Sequence, residues 1–449
     1  MKKFLKITAA ILVLLLIFFV GTFKYRQYKA SRVLIPACVS SLVKINTDEI
    51  YKSIGLNMMG NLSYYLKSGE NKSDSIEVKK FDTGLDVPAA LYFYTLTGKS
   101  KDLFFTRFKI KDAAAFKNFI TKTLHLTAPK PIGDGTFLSK SQDSRLAVLY
   151  NESTVAVSCC VKTTNLDQAL VDILNEKNFI KVSESNLSNI NTYNDHVLFA
   201  ERENLTRLNF DKGSINFSSA FITDLFIPAE KGMHRVFNQD NTLNLWLNAR
   251  LKKPDHNVFK LKNFTLNTDS ILKYYNGYMD IEWTNTVQQT DTVVTYEYND
   301  DFEKVEKISL LKQDIPNLSV NIAANAPGLK NYLQQQKFII ADSNVVNKTM
   351  FPLYKLYVSN STENLILSTQ KGHQLSFKQA QSNDFFYLNI NFAKLNQQVS
   401  IPLFASQAKA LKTLEIKGKA TNTGKLFING RLDFNNRDIN ALYQLLKSF

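Results

Sequence analysis

The chain has 449 residues, of which 44% are hydrophobic, and a formal net charge of +15. Seven basic residues and no acidic residue precede residue 33, so the 417 residues that follow carry only +8 (15 − 7). A positive charge of this size spread over so many residues argues against a nucleic-acid-binding protein, because such proteins concentrate their basic residues in a patch or stripe. Three cysteines without C-x-x-C spacing exclude a disulfide-rich scaffold and a zinc or dithiol motif of that kind.

The first predicted element is a transmembrane helix at Ile7–Phe23, where seventeen residues pass without a charge between Lys6 and Lys24. Such a helix spans roughly 26 Å, close to the thickness of a hydrocarbon core of about 30 Å. No small-residue cleavage site follows, which favours an uncleaved anchor over a secretory signal peptide. Four basic residues separate the apolar stretch from Cys38, which disfavours lipid attachment there. Cys38 is instead expected to enter a buried strand.

Basic residues flank the apolar stretch on both sides, so their distribution does not set the orientation of the chain in the membrane. A short basic N-terminus before a long body is the usual signal-anchor arrangement, and long domains cross the membrane largely regardless of charge. We therefore expect a single-pass protein of the cytoplasmic (inner) membrane with a periplasmic body. The opposite orientation stays open as an alternative.

Strands followed by helices are predicted over residues 33–190. A strand at Ser41–Ile45 runs into the helix-starting residues Asn46-Thr47-Asp48-Glu49, and residues 68–77 are polar and predict a loop. Two antiparallel hairpins are each followed by an amphipathic helix. The hairpins are Ala90–Leu96 with Leu103–Ile110 and Arg145–Tyr150 with Thr154–Val161, and the helix stripes are Phe116, Phe119, Ile120 and Leu124, then Leu166, Leu170, Ile173 and Leu174.

The middle of the chain is predicted to be rich in strands, after a polar boundary at Ser183–Asn194. His196–Ala200 predicts a strand and Glu201–Leu208 a short helix. Alternation of polar and apolar residues then predicts four strands, at Leu243–Ala249, Tyr278–Trp283, Thr292–Tyr298 and Val305–Leu311. The acids in Asn299-Asp300-Asp301 lack the ligand spacing of a calcium loop and are interpreted as a solvated hairpin tip.

From residue 316 onward the strand–helix pattern returns, with an asparagine near several junctions. Four short segments at these junctions suggest one repeated strand–helix unit: Val43-Lys44-Ile45-Asn46, Val320-Asn321-Ile322-Ala323, Leu388-Asn389-Ile390-Asn391 and Leu432-Asp433-Phe434-Asn435. Convergence is the alternative, because any strand-to-helix junction favours an asparagine cap. The predicted fold class is α+β, a body of mainly antiparallel sheets with helices on one face. The predicted divisions are an anchor and stalk (1–32), a first α+β domain (33–190), a strand-rich region (191–315) and a C-terminal α+β domain (316–449).

No catalytic, cofactor-binding or metal-ligating residue is predicted, because the common nucleotide, hydrolase and zinc-protease motifs do not occur. The histidines show no ligand spacing; they are His125, His196, His234, His256 and His373. Aromatic clusters are interpreted as core, with a ligand groove as the alternative if they prove exposed. They are Tyr64-Tyr65, Tyr92-Phe93-Tyr94, Tyr274-Tyr275-Tyr278 and Phe385-Phe386-Tyr387.

The chain resembles membrane-anchored envelope proteins of Gram-negative bacteria that carry a domain of unknown function. The resemblance rests on Ile35-Pro36-Ala37, on the hairpin and helix over Leu85–Phe119, and on Gly430-Arg431-Leu432-Asp433-Phe434 before Ala441-Leu442. It implies an envelope location and a non-enzymatic role, and it supplies no catalytic residues.

The functional prediction is a membrane-anchored, extracytoplasmic binding or structural protein without catalysis or cofactor. Its expected partners are membrane lipid at the N-terminal helix and an envelope protein, glycan or lipid at the body. The alternative is a hydrolase acting on envelope glycan or lipid through carboxylates that a single sequence does not bring together. Two carboxylates facing each other in a cleft would favour the hydrolase, and an aromatic groove without them would favour binding.

Overall fold

The computed structural model describes residues 20–70, 82–133, 135–160, 167–229, 231–252, 258–261, 264–298, 303–373, 375, 378–399, 405–421 and 424–448. The structure is 47% strand and 24% helix, and its sheets are antiparallel, so the predicted α+β class is wrong. Glu201–Leu208 illustrates the reason. Arg202 adopts a left-handed φ of 55° in a tight turn, and residues 204–211 then pair back on the preceding strand instead of forming a helix.

The predicted transmembrane segment Ile7–Phe23 lies for the most part outside the described residues. Residues 20–31 form a helix, α1, which contains the end of that segment. Among the described residues, none of the helices combines the length and the apolar character needed to span a membrane. The predicted Asn299-Asp300-Asp301 tip and His256 also lie outside the described residues.

The described residues form two compact units. Unit 1 runs to Lys212 and includes Asp438–Asn440, and unit 2 comprises Gly213–Arg437 and the residues from Ala441 onward. The domain bounds predicted at residues 191 and 316 stay predictions, since compact units and sequence domains need not share their ends.

Unit 1 contains a nine-stranded antiparallel sheet. Its strands are β1 (Leu34–Pro36), β2 (Val39–Ile45), β3 (Leu85–Asp86), β4 (Leu91–Leu96), β5 (Leu103–Ile110), β6 (Lys130–Gly133), β7 (Thr136–Lys140), β8 (Leu146–Tyr150), β9 (Thr154–Cys160), β10 (Phe179–Lys181), β11 (Val197–Glu201) and β12 (Asn204–Asp211). The order in the sheet is β6-β7-β8-β9-β5-β4-β2-β11-β12, while β3 pairs with β5 and β1 with β10. Both predicted hairpin segments are confirmed as strands.

Helices pack on both faces of this sheet, which corrects the prediction of one face. After α1, the helices of unit 1 are α2 (Thr47–Gly60), α3 (Leu62–Glu70), α4 (Ala113–Asn118) and α5 (Asp167–Leu174). Neighbouring residues of β9 point to opposite faces. Ala156 joins the core around Leu170 and Ile173 of α5, whereas Val155 joins the core around Phe116 of α4. Asp112 caps α4, accepting hydrogen bonds from the N–H groups of Ala114 and Ala115.

Unit 2 is also built on antiparallel strands. Its strands are β13 (Ser214–Phe221), β14 (Phe226–Pro228), β15 (Gly232–Arg235), β16 (Leu243–Leu251), β17 (Val258–Leu261), β18 (Phe264–Asn267), β19 (Tyr275–Tyr298), β20 (Lys304–Ala324), β21 (Ile339–Ile340), β22 (Val345–Val346), β23 (Tyr357–Asn360), β24 (Asn364–Ser368), β25 (Gln379–Ser382), β26 (Asp384–Asn391), β27 (Leu411–Ala420) and β28 (Leu426–Phe434). The order is β13-β28-β27-β26-β16-β19-β20-β24-β23-β22-β21.

The helices of unit 2 are short: α6 (Thr268–Leu272), α7 (Ala326–Gln335), α8 (Phe392–Gln398), α9 (Ala405–Ala410) and α10 (Ala441–Lys447). The suggested asparagine junctions differ from one another. Asn325 and Asn391 cap α7 and α8 through their side chains, but the Asn46 side chain donates to the Asp195 carbonyl. The Asn435 side chain donates to the carbonyls of Lys409 and Leu411. The asparagines thus share a sequence pattern but not one structural role.

The three cysteines are free thiols. Cys38 precedes β2 and is exposed, so the prediction that it enters a buried strand is wrong. Cys159 is exposed and Cys160 is buried, as expected for neighbouring residues of a strand, which point to opposite faces.

Candidate functional site

The central strands of unit 2 bury their polar face more deeply than their apolar face. In β16, Asn244, Trp246 and Asn248 are buried, while the alternating Leu243, Leu245 and Leu247 are only half-buried. The same alternation places Tyr278, Asp280 and Glu282 of β19 beside them. We call this side of the sheet the polar face.

Two rows of side chains cross the polar face, because directly opposite residues of paired strands share one face. One row runs Lys417, Tyr387, Trp246, Asp280 and Asn321; the other runs Glu415, Asn389, Asn244, Glu282, Ser319 and Ser368. Each row therefore combines residues from β27, β26, β16, β19 and β20. Their assembly depends on strand register and not on proximity in the sequence.

A small antiparallel pair, β15 with β25, lies against the polar face. Its close approach requires glycine at residue 232, since an added Cβ there would lie 2.3 Å from the Asn248 side-chain nitrogen. Arg235, the last residue of β15, is 4% exposed and ion-pairs with Asp280 at 2.7 Å and with Glu282 at 2.6 Å. The β15 segment is thus fixed to the sheet by a buried guanidinium held between two carboxylates.

Amide side chains complete the hydrogen bonding of this ionic cluster. Asn321 donates to Asp280 at 2.9 Å, and Asn241 donates to Glu282 at 2.8 Å. Burial alone would lower the pKa of Arg235, but its bonds to Asp280 and Glu282 outweigh that effect and raise it. The pKa of Tyr278 is also raised, chiefly by burial and further by the Asp280 charge. Arg235, Asp280 and Glu282 together have a formal net charge of −1.

A cleft of about 550 Å³ opens between the β15 segment and strands β26 and β27. Its lining comprises His234, Val236, Phe237, Gln239, Asn244, Trp246, Ser382, Asp384, Tyr387, Asn389, Asn391, Thr413, Glu415 and Lys417. We refer to it as the β26 cleft. Nine of these fourteen residues are amides, serine, threonine, carboxylates or lysine, so the cleft is chiefly a hydrogen-bonding site.

Aromatic rings form the floor of the β26 cleft. The rings of His234 and Trp246 stack with centroids 4.7 Å apart and planes at 6°, and Tyr387 stacks on Trp246 at 6.1 Å. Trp246 is 3% exposed, so the half-buried Tyr387 and His234 present the ring surface that a ligand could touch. Burial raises the pKa of Tyr387, and the nearby Glu415 raises it further, so its hydroxyl stays protonated.

Two carboxylates line the β26 cleft, Asp384 and Glu415. Asp384 lies opposite Lys419, and Glu415 lies opposite Asn389, so the two positions are four residues apart along β27. At a rise of about 3.4 Å per residue this separation is about 14 Å. Glycosidase carboxyl pairs lie about 5–9.5 Å apart, and side chains stand roughly perpendicular to a sheet. The two acids are therefore too distant to act on one bond.

Each of these acids has a lysine neighbour. Glu415 pairs with Lys417, and that hydrogen bond raises the lysine pKa. Asp384 lies 3.8 Å from Lys419, and its Oδ1 atom is buried without a hydrogen-bond partner among the described residues. An acceptor oriented in this way can receive a hydrogen bond from a ligand hydroxyl or amide.

A second cavity of about 410 Å³ lies on the polar face beyond the Arg235 cluster. Asn321 lines it, and because its nitrogen donates to Asp280, its Oδ1 atom is the one left without a partner among the described residues. No group of three potential metal ligands (His, Cys, Asp or Glu) occurs in the part of the chain that the structure describes.

The predicted aromatic clusters divide between core and cleft. Tyr65, Tyr92, Tyr94 and Phe385 are buried, in agreement with the core interpretation. Tyr387 is the exception that lines the β26 cleft. The residues that sequence reasoning missed are Arg235, Trp246, Asp280, Asn389 and Glu415. The available signal is the amide-rich alternation of residues 243–249 and 387–391, and residues 243–249 are predicted only as an alternating strand.

No family model and no curated protein matches the chain. Among solved structures, crystal form I of TP0453 matches with a TM-score of 0.21 and 8% identity over 74% of this chain and 89% of that chain. Crystal form III gives a TM-score of 0.21 and 9% identity over 75% and 90%, and crystal form IV gives 0.17 and 11% over 75% and 92%. Similarities at these TM-scores carry no argument about fold or function.

Proposed function

We propose that the chain is an extracytoplasmic binding protein of the bacterial envelope and that the β26 cleft binds a glycan without cleaving it. Its apolar N-terminal stretch holds it at the inner membrane, and its body faces the periplasm. The observation that carries the proposal is the composition of the cleft, an aromatic floor within walls of amides, hydroxyls and separated carboxylates.

The chemistry of a sugar matches this lining. One face of a pyranose ring is made of C–H groups that pack on an aromatic ring, while its hydroxyls both donate and accept hydrogen bonds. Tyr387 offers the ring surface, and Asn389, Asn391 and Glu415 offer the polar partners along neighbouring strands. A cleft with a few convergent polar groups around an aromatic surface is the usual form of a small-molecule site.

The spacing of the acids supports binding over hydrolysis. With about 14 Å between Asp384 and Glu415 along the strands, these two cleft acids are too far apart to supply the acid and the nucleophile or base of a glycosidase. Glu415 is also ion-paired with Lys417, and Asp384 lies 3.8 Å from Lys419. In the proposal, the carboxylates of Asp384 and Glu415 accept hydrogen bonds from sugar hydroxyls.

Isothermal titration calorimetry with soluble peptidoglycan fragments and lipopolysaccharide core oligosaccharides tests this proposal. We expect one of these glycans to bind, and Tyr387→Ala to weaken its affinity at least about tenfold, as removal of a central aromatic contact does. Tyr296→Ala, which removes an aromatic side chain exposed elsewhere in unit 2, is the matched control and should leave the affinity unchanged.

Two results would count against the proposal. If neither glycan class binds, or if Tyr387→Ala and Tyr296→Ala bind as the unaltered protein does, the β26 cleft is not a glycan site. Chromatography of the glycan after prolonged incubation separates binding from catalysis. We expect the glycan to stay intact. If shortened products form with the unaltered protein and disappear with Glu415→Gln, the hydrolase alternative is correct and the proposal of binding without cleavage is wrong.

A further inference from the structure

A long two-stranded arm extends from the sheet of unit 2. It consists of residues 286–298 of β19 and 304–316 of β20, which pair from Thr286 with Pro316 to Tyr298 with Lys304. A register shift between Trp283 and Thr286 marks its base. At about 3.4 Å per residue the arm is about 40 Å long. Near the base, Gln289 bonds to the carbonyls of Lys355 and Thr369, and Asp291 pairs with Lys348.

Beyond Asp291 the side chains of the arm that the structure describes are exposed to solvent on both faces. Every residue from 303 to 312 is exposed, including Ile308 at 68% and Leu310 at 70%, which share one face. An isolated two-stranded hairpin is at best marginally stable in water, and an exposed strand edge can pair with another chain. The strand pairings of residues 304–314 are with β19, and no second strand pairs with these residues in the part of the chain that the structure describes.

The charges along this edge are self-complementary about Ser309. If two copies of the strand pair antiparallel with Ser309 opposite itself, Lys304 lies opposite Asp314, Glu306 opposite Lys312, and Ile308 opposite Leu310. Opposite charges and apolar pairs directly across an antiparallel ladder are favourable, and like charges are unfavourable. In this register, every charged residue on the face that carries Ile308 and Leu310 lies opposite a residue of opposite charge.

Neighbouring registers lack this property. With a two-fold axis perpendicular to the sheet, opposite residues must lie on the same face of the sheet. The register between the two copies can therefore shift only in steps of two residues. One step places Lys304 opposite Lys312, and a step in the other direction places Glu306 opposite Asp314. The arm portion of β19 has only the acids Asp291 and Glu297, so its own edge offers no complementary pattern.

We propose that two copies of the chain associate through their arms, with residues 304–314 pairing antiparallel to the same residues of the second copy about Ser309. The association is isologous and closes as a two-fold dimer. It converts two exposed ribbons into one four-stranded sheet and brings Ile308 against Leu310 twice. The same residues serve both copies, so no other partner is required.

Charge reversal tests the pairing directly. We expect the full chain in detergent to sediment as a dimer in analytical ultracentrifugation, and Glu306→Lys or Lys312→Glu alone to weaken dimerisation about tenfold or more, because each places like charges opposite one another at two symmetric positions. The double variant restores opposite charges and should recover the dimer. Glu297→Lys, a reversal on the other strand of the arm, is the matched control and should leave the dimer intact.

A cysteine scan fixes the register. Ser309→Cys should form a disulfide-linked dimer on mild oxidation, since opposite residues of an antiparallel pair have Cα atoms about 4.5–5.5 Å apart, within the range of a disulfide. Leu311→Cys should not, because it lies opposite Lys307 and about 14 Å from its own copy. A monomeric unaltered protein, a double variant as weak as the singles, or equal crosslinking of both cysteine variants would each overturn the proposal.

Discussion

Arg235 is the residue on which the geometry of the β26 cleft depends most. It joins the β15 segment to the sheet through Asp280 and Glu282, and its guanidinium also lies 4.6 Å from the Phe237 ring in the cleft wall. His234 and Val236, its neighbours in the chain, both line the cleft. A buried charged pair is no sign of high stability in itself, but removing one partner leaves the other buried and unpaired.

We therefore expect Arg235→Leu to lower the free energy of unfolding of unit 2 by about 3–5 kcal/mol. Arg431→Leu, which breaks the exposed pair with Asp433, should cost less than about 1 kcal/mol. Urea unfolding followed by tryptophan fluorescence isolates unit 2, because the only two tryptophans, Trp246 and Trp283, both belong to it. Equal losses in the two variants would contradict the role given to the buried cluster.

The elements of unit 1 show what local sequence patterns can predict. The hairpin strands over 91–110 and 146–160 follow from alternation and short polar turns, and Asp112 identifies the start of α4. The sequence predicts a helix at Glu201–Leu208, but residues 204–211 form a strand, because their pairing depends on a left-handed Arg202. Alternation locates a strand, but a tight turn decides whether the next segment pairs with it.

The β26 cleft lay beyond local prediction because distant elements create it. Alternation in β16 and β19 correctly separated Asn244, Trp246 and Asp280 from the leucines and isoleucine of the other face. It did not show that the polar face would be the buried one. That outcome depends on β25, more than a hundred residues further along the chain, and on the Arg235 ion pairs. Sequence patterns define two faces, and only tertiary packing decides which is covered.

The pairing of β13 with β28 provides a test at the level of the elements. Gly430 lies opposite Phe217, and an added Cβ would lie 2.0 Å from the Phe217 ring. Gly430→Val should destabilise unit 2 by about 1–3 kcal/mol through overpacking. Adding Phe217→Ala should recover part of that loss by opening the space the ring occupies. Tryptophan fluorescence in urea measures both variants, and additive losses in the double variant would contradict this packing.

At the scale of the whole molecule, charge is distributed unevenly. The arm, residues 286–316, contains seven acidic and three basic residues, a net charge of −4, so the rest of the chain carries +19 (15 + 4). Seven of those basic residues flank the apolar N-terminal stretch. A basic flank of this kind suits the anionic surface of a membrane, whereas the acidic arm does not.

The proposed orientation can be tested through the exposed thiols. Cys38 and Cys159 are exposed and free, whereas Cys160 is buried. If the body is periplasmic, a membrane-impermeant maleimide should label the protein in intact spheroplasts, and the double variant Cys38→Ser/Cys159→Ser should lose most of that label. Labelling that requires lysis of the spheroplasts would place the body in the cytoplasm.

The most direct test of glycan binding at the β26 cleft is saturation-transfer difference NMR. Soluble peptidoglycan fragments and lipopolysaccharide core oligosaccharides would be mixed with the full chain while the aromatic protons of the protein are irradiated. We predict strong transfer to the ring C–H protons of one of these glycans, because they pack against Tyr387, and a large reduction of that transfer in Tyr387→Ala. Absence of transfer to either glycan class, or transfer that Tyr387→Ala leaves unchanged, would contradict the account.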